Sequence, residues 1–147
     1  MDKEVKGLWD KKIHNMKKLL NVTESISDAA RQEDAEELLK FLKSRQQLMD
    51  DIDQIDGQLL NFFNDDAKAL IKFVLNGDNE IQVIHNNIMS QLKKIKELDD
   101  KNLEDIKALF SKLKQDIHNL KRTETALKGY GIIGTGSQDG AFIDTKK

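Results

Sequence analysis

Apolar residues recur at steps of three and four almost from the start of the chain. Val5, Trp9, Ile13, Met16 and Leu20 fall on one side of a 3.6-residue helix, and Leu8, Leu19, Val22 and Ile26 widen that stripe. The pattern predicts a first helix from Lys3 to Arg31. Arg31-Gln32-Glu33-Asp34 interrupts it, and Asp34 with Glu37 reads as an N-cap and its reciprocal carboxylate just before an apolar run. So short a turn makes helices 1 and 2 antiparallel neighbours.

Helix 2 carries Leu38, Leu42, Arg45, Met49, Ile52, Asp56 and Leu59 at alternating steps of four and three, with Phe41, Leu48 and Ile55 beside them. This is a heptad seam with two polar members. Asn64-Asp65-Asp66 either caps a new helix or is a polar turn of a continuing one. The cluster Leu70, Ile71, Phe73, Val74 and Leu75 then ends at the breaker Asn76-Gly77-Asp78.

Helix 3 is expected over residues 79–128. Ile81, Ile84, Ile88, Leu92, Ile95 and Leu98 form one stripe; Leu103, Ile106, Phe110, Leu113, Ile117, Leu120 and Leu127 form a second. The five-residue step from Leu98 to Leu103, filled by Asp99-Asp100-Lys101-Asn102, shifts the seam's phase, so the helix bends or changes partner there. Helix 1 is too short to cover the whole hairpin of helices 2 and 3. It is expected against the second half of helix 3, leaving the Phe73 to Ile95 end less covered. Arg45, Asp56, Asp99 and Asn102 either set register through partners across the seam or sit at the edge of a slightly rotated stripe.

Composition supports long helices. The 147 residues include no proline, so nothing fixes a kink or removes a backbone donor. Five of the eight glycines lie at or beyond Gly129, which closes helix 3. The expected fold is all-α: an elongated antiparallel bundle of three long helices over residues 1–128, helix 2 continuous or broken near residue 64. A glycine-rich, flexible tail follows over 129–147, with apolar patches at Tyr130, Ile132, Ile133, Phe142 and Ile143.

Charge is uneven: +3 over residues 1–23, −8 over 24–80, +3 over 81–128 and zero beyond. A middle segment opposite in sign to both neighbours suits three helices that pack on one another, though solvated faces of different composition give the same sums. A net charge of −2 gives no reason to expect a nucleic acid partner. No apolar run approaches the roughly 20 residues that span a bilayer, and the N-terminus has no signal-peptide core; a soluble, cytoplasmic protein without membrane insertion is expected.

The chemistry-bearing residues do not assemble into a site. Cysteine is absent, which excludes disulfides and thiol chemistry. His14, His85 and His118 lack the spacing of helical zinc motifs. Asp51, Asp53 and Asp56 miss the calcium-loop pattern, because Ile55 and Asp56 stand where a ligand and the glycine are needed. Gly134-Thr135-Gly136 has no following Gly-Lys-Ser/Thr. No enzyme, cofactor or metal is expected.

What remains is apolar helix surface without an obvious partner: Phe73, Val74, Ile84, Ile88, Ile106, Phe110, Leu113 and Ile117. A groove between helices recognises an amphipathic helix through anchors at helical spacing. The plain alternative is that these residues are core, or the seam of a homodimeric coiled coil.

Three segments carry a family resemblance. Leu38-Leu39 with Arg45-Gln46-Gln47-Leu48-Met49, the stretch Ile95-Lys96-Glu97-Leu98-Asp99-Asp100-Lys101-Asn102, and the ending Asp139-Gly140-Ala141-Phe142-Ile143-Asp144-Thr145-Lys146-Lys147 together resemble bacterial flagellar export chaperones of the FlgN and FliT type. The resemblance implies a cytoplasmic, non-enzymatic chaperone, a monomer or weak homodimer. It would bind the helical C-terminal region of a flagellar axial protein (hook-associated protein, filament cap or flagellin), prevent premature assembly and deliver it to the flagellar export apparatus. The partner-binding residues expected are Ile106, Phe110, Leu113, Ile117 and Leu120 on helix 3, with Tyr130 and Phe142 of the tail, which would cover that surface when no client is bound.

Overall fold

The computed structural model describes residues 3–129. They form four helices: α1 (Lys3–Arg31), α2 (Ala35–Asn61), α3 (Ala67–Leu75) and α4 (Asn79–Gly129). The expected all-α architecture is present, but with four helices, not three. The chain divides into two units, Met1–Ile106 and Lys107–Lys147. The described part of the second is the remainder of α4. The tail expected over 129–147 lies outside the described residues from Tyr130 on.

Each helix ends for a local reason. At the end of α1, Glu33 takes a left-handed backbone (φ 57°). The Glu33 amide then donates to Ala30 and the Asp34 amide to Ala29, closing the helix in a Schellman turn. Asp34 at once caps α2, its carboxylate accepting the Glu37 amide at 3.1 Å. The device repeats after α2, where Asn64 and Asp65 are left-handed and the Asp65 amide donates to Leu60. Asp66 then caps α3 by accepting from the Lys68 and Ala69 amides. Helix 2 is therefore broken, and Asn64-Asp65-Asp66 does cap a new helix. Phe63 packs on Phe73 at a tilt of 50° with ring centroids 5.2 Å apart, which holds α3 back against the turn.

Gly77 makes the final turn possible. A Cβ there would lie 2.2 Å from Ile81 Cγ2 and 2.6 Å from the Phe73 carbonyl oxygen. Asp78 caps α4 by accepting the Ile81 amide at 3.0 Å.

The break in helix 2 corrects the expected packing. A helix continuing to residue 75 would set the start of helix 2 opposite the far half of helix 3. Because α2 stops at Asn61, its 27 residues match the 29 of α1 and the length of α4 that lies in the first unit. α1 thus covers the first part of α4, where the expected packing set it against the second half. Lys6 meets Glu80 at 2.5 Å and Ser27 meets Asn102 at 2.5 Å, so α1 and α4 run parallel in one register. Lys12 meets Asp56 at 2.7 Å, fixing α1 antiparallel to α2. The core joins Val5, Trp9, Met16 and Leu19 to Ile52, Ile55 and Leu59, and to Val74, Ile81, Ile88 and Ile95. Phe73 and Ile84 pack against it, partly buried. The Phe73 to Ile95 end thus contributes to the core, and Phe73, Val74, Ile84 and Ile88 are not bare surface, while Leu75, Met89 and Leu92 in the same segment stay exposed.

One layer of this interior is polar. The Arg45 guanidinium donates to both Asp99 carboxylate oxygens, at 2.7 and 2.8 Å, and to Thr23 Oγ1 at 3.1 Å. The Thr23 hydroxyl donates to Leu19 O at 2.7 Å. Asn102 Nδ2 donates to Thr23 O at 3.1 Å, and its Oδ1 accepts from Ser27. Arg45, Asp99 and Asn102 pair across the seam, while Asp56 sits at its edge, about half exposed. The network ties α1, α2 and α4 with bonds of fixed geometry, so a register slip on any helix would strand several partly or wholly buried polar groups.

At the open end of the bundle, Glu80 accepts a hydrogen bond from Lys6 and attracts its charge, raising the Lys6 pKa above the usual lysine value. A raised lysine stabilises below its unfolded-state pKa, and that contribution fades as pH climbs through the folded value.

Two stability outcomes follow. Asp99→Leu, which leaves the Arg45 charge unpaired, should cost about 2–4 kcal/mol in urea denaturation, and Arg45→Met with Asp99→Leu should cost clearly less than the two single changes summed. Gly77→Ala should lose about 1–3 kcal/mol, because the clash involves a backbone carbonyl that cannot step aside.

Candidate partner-binding surface

The buried line of α4 does not change phase. Ile81, Ile88, Ile95, Asn102 and Leu109 are all buried and stand seven residues apart. Asn102 simply replaces an aliphatic residue where the polar layer crosses the helix. The apolar stripe is what moves. From Leu103 on it occupies the position after the buried line, about 100° further around the helix.

That shift turns the second stripe outward. Leu103 is 53% exposed, Phe110 44%, Ile117 56% and Leu120 69%; Ile106 and Leu113 between them are half-buried. The steps 103, 106, 110, 113, 117, 120 alternate three and four, the spacing of a coiled-coil seam. In the described part of the second unit, Phe110, Leu113, Ile117 and Leu120 thus form a continuous apolar edge. Isolated exposed leucines are ordinary, but a heptad-spaced row is the pattern of a helix-binding face. Of the five helix residues expected from sequence, Phe110, Leu113, Ile117 and Leu120 lie on this edge of the second unit, and Ile106 is the last residue of the first. Tyr130 and Phe142 lie outside the described residues.

The sequence reading places Leu103 at the head of the second stripe but not among the partner-binding residues, although it is exposed. Its signal was present in the five-residue step after Leu98, which marks where apolar positions leave the buried line. Electrostatics do not set this edge apart: Lys107 and Lys114 alternate with Asp105 and Asp116 beside it. Among the described residues no three His, Asp or Glu side chains gather as metal ligands, and no helix is long and apolar enough to cross a membrane.

A family model described as FlgN protein matches residues 1–137 of the chain. No curated protein and no solved structure matches it.

Because the stripe is open to solvent, Phe110→Ser with Ile117→Ser should change urea stability by no more than about 1 kcal/mol, against the 3–5 kcal/mol typical of truncating a core phenylalanine. Binding of the apolar dye ANS should fall in the same variant. A loss of several kcal/mol would show that these residues are already packed within the protein.

Proposed function

The chain belongs to the FlgN family of flagellar export chaperones, and from that premise we propose that it acts in the cytoplasm by holding the amphipathic C-terminal helix of an axial flagellar protein along the outward stripe of α4. Such a client helix buries its apolar face only in the assembled filament. Unassembled, it is prone to self-association, and a heptad-spaced edge offers it a temporary partner. The observation that carries this reading is the row Phe110, Leu113, Ile117 and Leu120 at heptad spacing, with Phe110, Ile117 and Leu120 exposed and Leu113 half-buried. Full burial of such side chains contributes about 1.5–3 kcal/mol each. After the cost of immobilising two partners, four of them support a reversible complex rather than a permanent one. Release at the export apparatus requires that reversibility. Tyr130 and Phe142 belong to the same reading, as residues that extend the apolar edge or cover it between clients.

The spacing also suits a second copy of this chain, which gives the coiled-coil adaptor as the competing reading. Calorimetry with C-terminal peptides of the hook-associated proteins, filament cap and flagellin from the same genome separates the two. At least one peptide should bind with a micromolar or tighter Kd, and Phe110→Glu with Ile117→Glu should weaken it by about a hundredfold or more. Failure of every peptide, together with an obligate dimer that the same charges dissociate in sedimentation, would establish the adaptor instead.

A further inference from the structure

A second apolar surface is built from α1, α3 and the first part of α4, and it uses no residue of the stripe described above. It is an open groove of about 240 Å³ lined by Trp9, Leu70, Val74 and Ile88 with Lys12 and His85. Trp9, Val74 and Ile88 are buried. Ile71 and Leu75 on α3, and Met89 and Leu92 on α4, also line it and are exposed. The volume is below the roughly 300–1,000 Å³ of small-molecule pockets, and the lining offers few polar groups to orient such a ligand. Two parallel rows of exposed apolar side chains over a buried apolar lining instead suit the anchors of a helix.

The charges around the groove select the kind of helix. Over residues 67–96 the chain carries Lys68, Lys72, Lys93, Lys94 and Lys96 against only Asp78 and Glu80, and Glu80 is already paired with Lys6. Lys68 and Lys72 each precede Ile71 and Leu75 by three residues, while Lys93 and Lys96 follow Met89 and Leu92 by four. Each lysine therefore shares the helix face of a groove residue. All four are exposed, and among the described residues none is joined to a carboxylate. Lys12 differs, because Asp56 takes its charge at 2.7 Å while its ammonium lies 5.5 Å from the Trp9 ring.

We propose that this groove is a docking site for an acidic amphipathic helix of a partner protein, its apolar anchors seated between α3 and α4 and its flanking carboxylates meeting the lysines on both banks. A helix with basic flanks would face like charges on either side. The stripe of a second copy of this chain is a poorer occupant, since Lys107 and Lys114 alternate with Asp105 and Asp116 beside it and it offers no acidic excess.

Trp9 makes the site directly observable, because it is the single tryptophan and lines the groove. The probe is a synthetic tryptophan-free helix of about sixteen residues with leucines at i, i+3, i+4 and i+7 and glutamates beside them, titrated into the full chain while Trp9 emission is followed. The control is the same peptide with lysine for every glutamate. The glutamate peptide should shift Trp9 emission, bind at least about tenfold more tightly than the control, and weaken as NaCl is raised. Ile71→Ser with Leu75→Ser should abolish binding, and Lys68→Glu with Lys72→Glu should invert the preference. Both variants alter exposed side chains, and circular dichroism checks that they fold. Equal binding of the two peptides, an unmoved Trp9 signal, or binding indifferent to both variants would overturn the proposal. So would a dimer that Ile71→Ser with Leu75→Ser dissociates, since a second copy would then occupy the groove. None of these outcomes bears on the Phe110 stripe, whose test uses other residues and other peptides.

Discussion

The polar layer formed by Thr23, Ser27, Arg45, Asp99 and Asn102 is the constraint on which the rest of the first unit depends. Apolar packing alone is tolerant of register: a helix can slide by one heptad and still bury an equivalent stripe. A bidentate guanidinium–carboxylate pair beside an amide that both donates and accepts is not tolerant, because each bond has a direction and a length. Displacing α4 by one residue would separate Arg45 from Asp99 and leave Asn102 facing apolar neighbours, at a cost of several kcal/mol. The ion pair adds less net stability than it adds specificity, since desolvation of both charges offsets much of their attraction.

On α4 the buried line and the apolar stripe separate beyond Asn102. The buried line is held at seven-residue spacing through Ile81, Ile88, Ile95, Asn102 and Leu109. Any apolar row one position ahead of that line must face away from it. Phe110 and Ile117 stand one position past that line and are exposed, in a stretch of α4 where Asp116, the next position of the line itself, is exposed as well.

The break after Asn61 works at the other end. It ends α2 at the length of α1, folds the apolar α3 back through Phe63 and Phe73, and leaves two faces of α3 with different fates. Val74 joins the core, whereas Ile71 and Leu75 stay on the groove bank. A nine-residue helix is too narrow to bury an apolar surface that runs most of the way around it. The uncovered part, next to Trp9 and lysines without acidic partners, is where the second docking surface arises.

The three- and four-residue periodicity of Val5 to Leu20, Leu38 to Leu59 and Ile81 to Leu98 settled the all-α class and most of the buried positions, because burying one face of a helix leaves a local, repeating mark. Asp34 announced its cap for an equally local reason, since a short carboxylate reaches amides only two or three residues away; at Asn64-Asp65-Asp66 the same signal left a cap and a polar turn open, and the structure decided for the cap. The outward row Ile106, Phe110, Leu113, Ile117 and Leu120 was legible as a stripe but not as an exposed one, since apolar spacing is the same whether a face meets core or water. Tertiary structure alone decided that α1 lies against the first part of α4, that Arg45 finds Asp99 and Thr23, and that Ile71 and Met89 line one groove. Each of these joins residues far apart in the chain, and their meeting depends on where α2 ends, a length that hydrophobic periodicity does not encode.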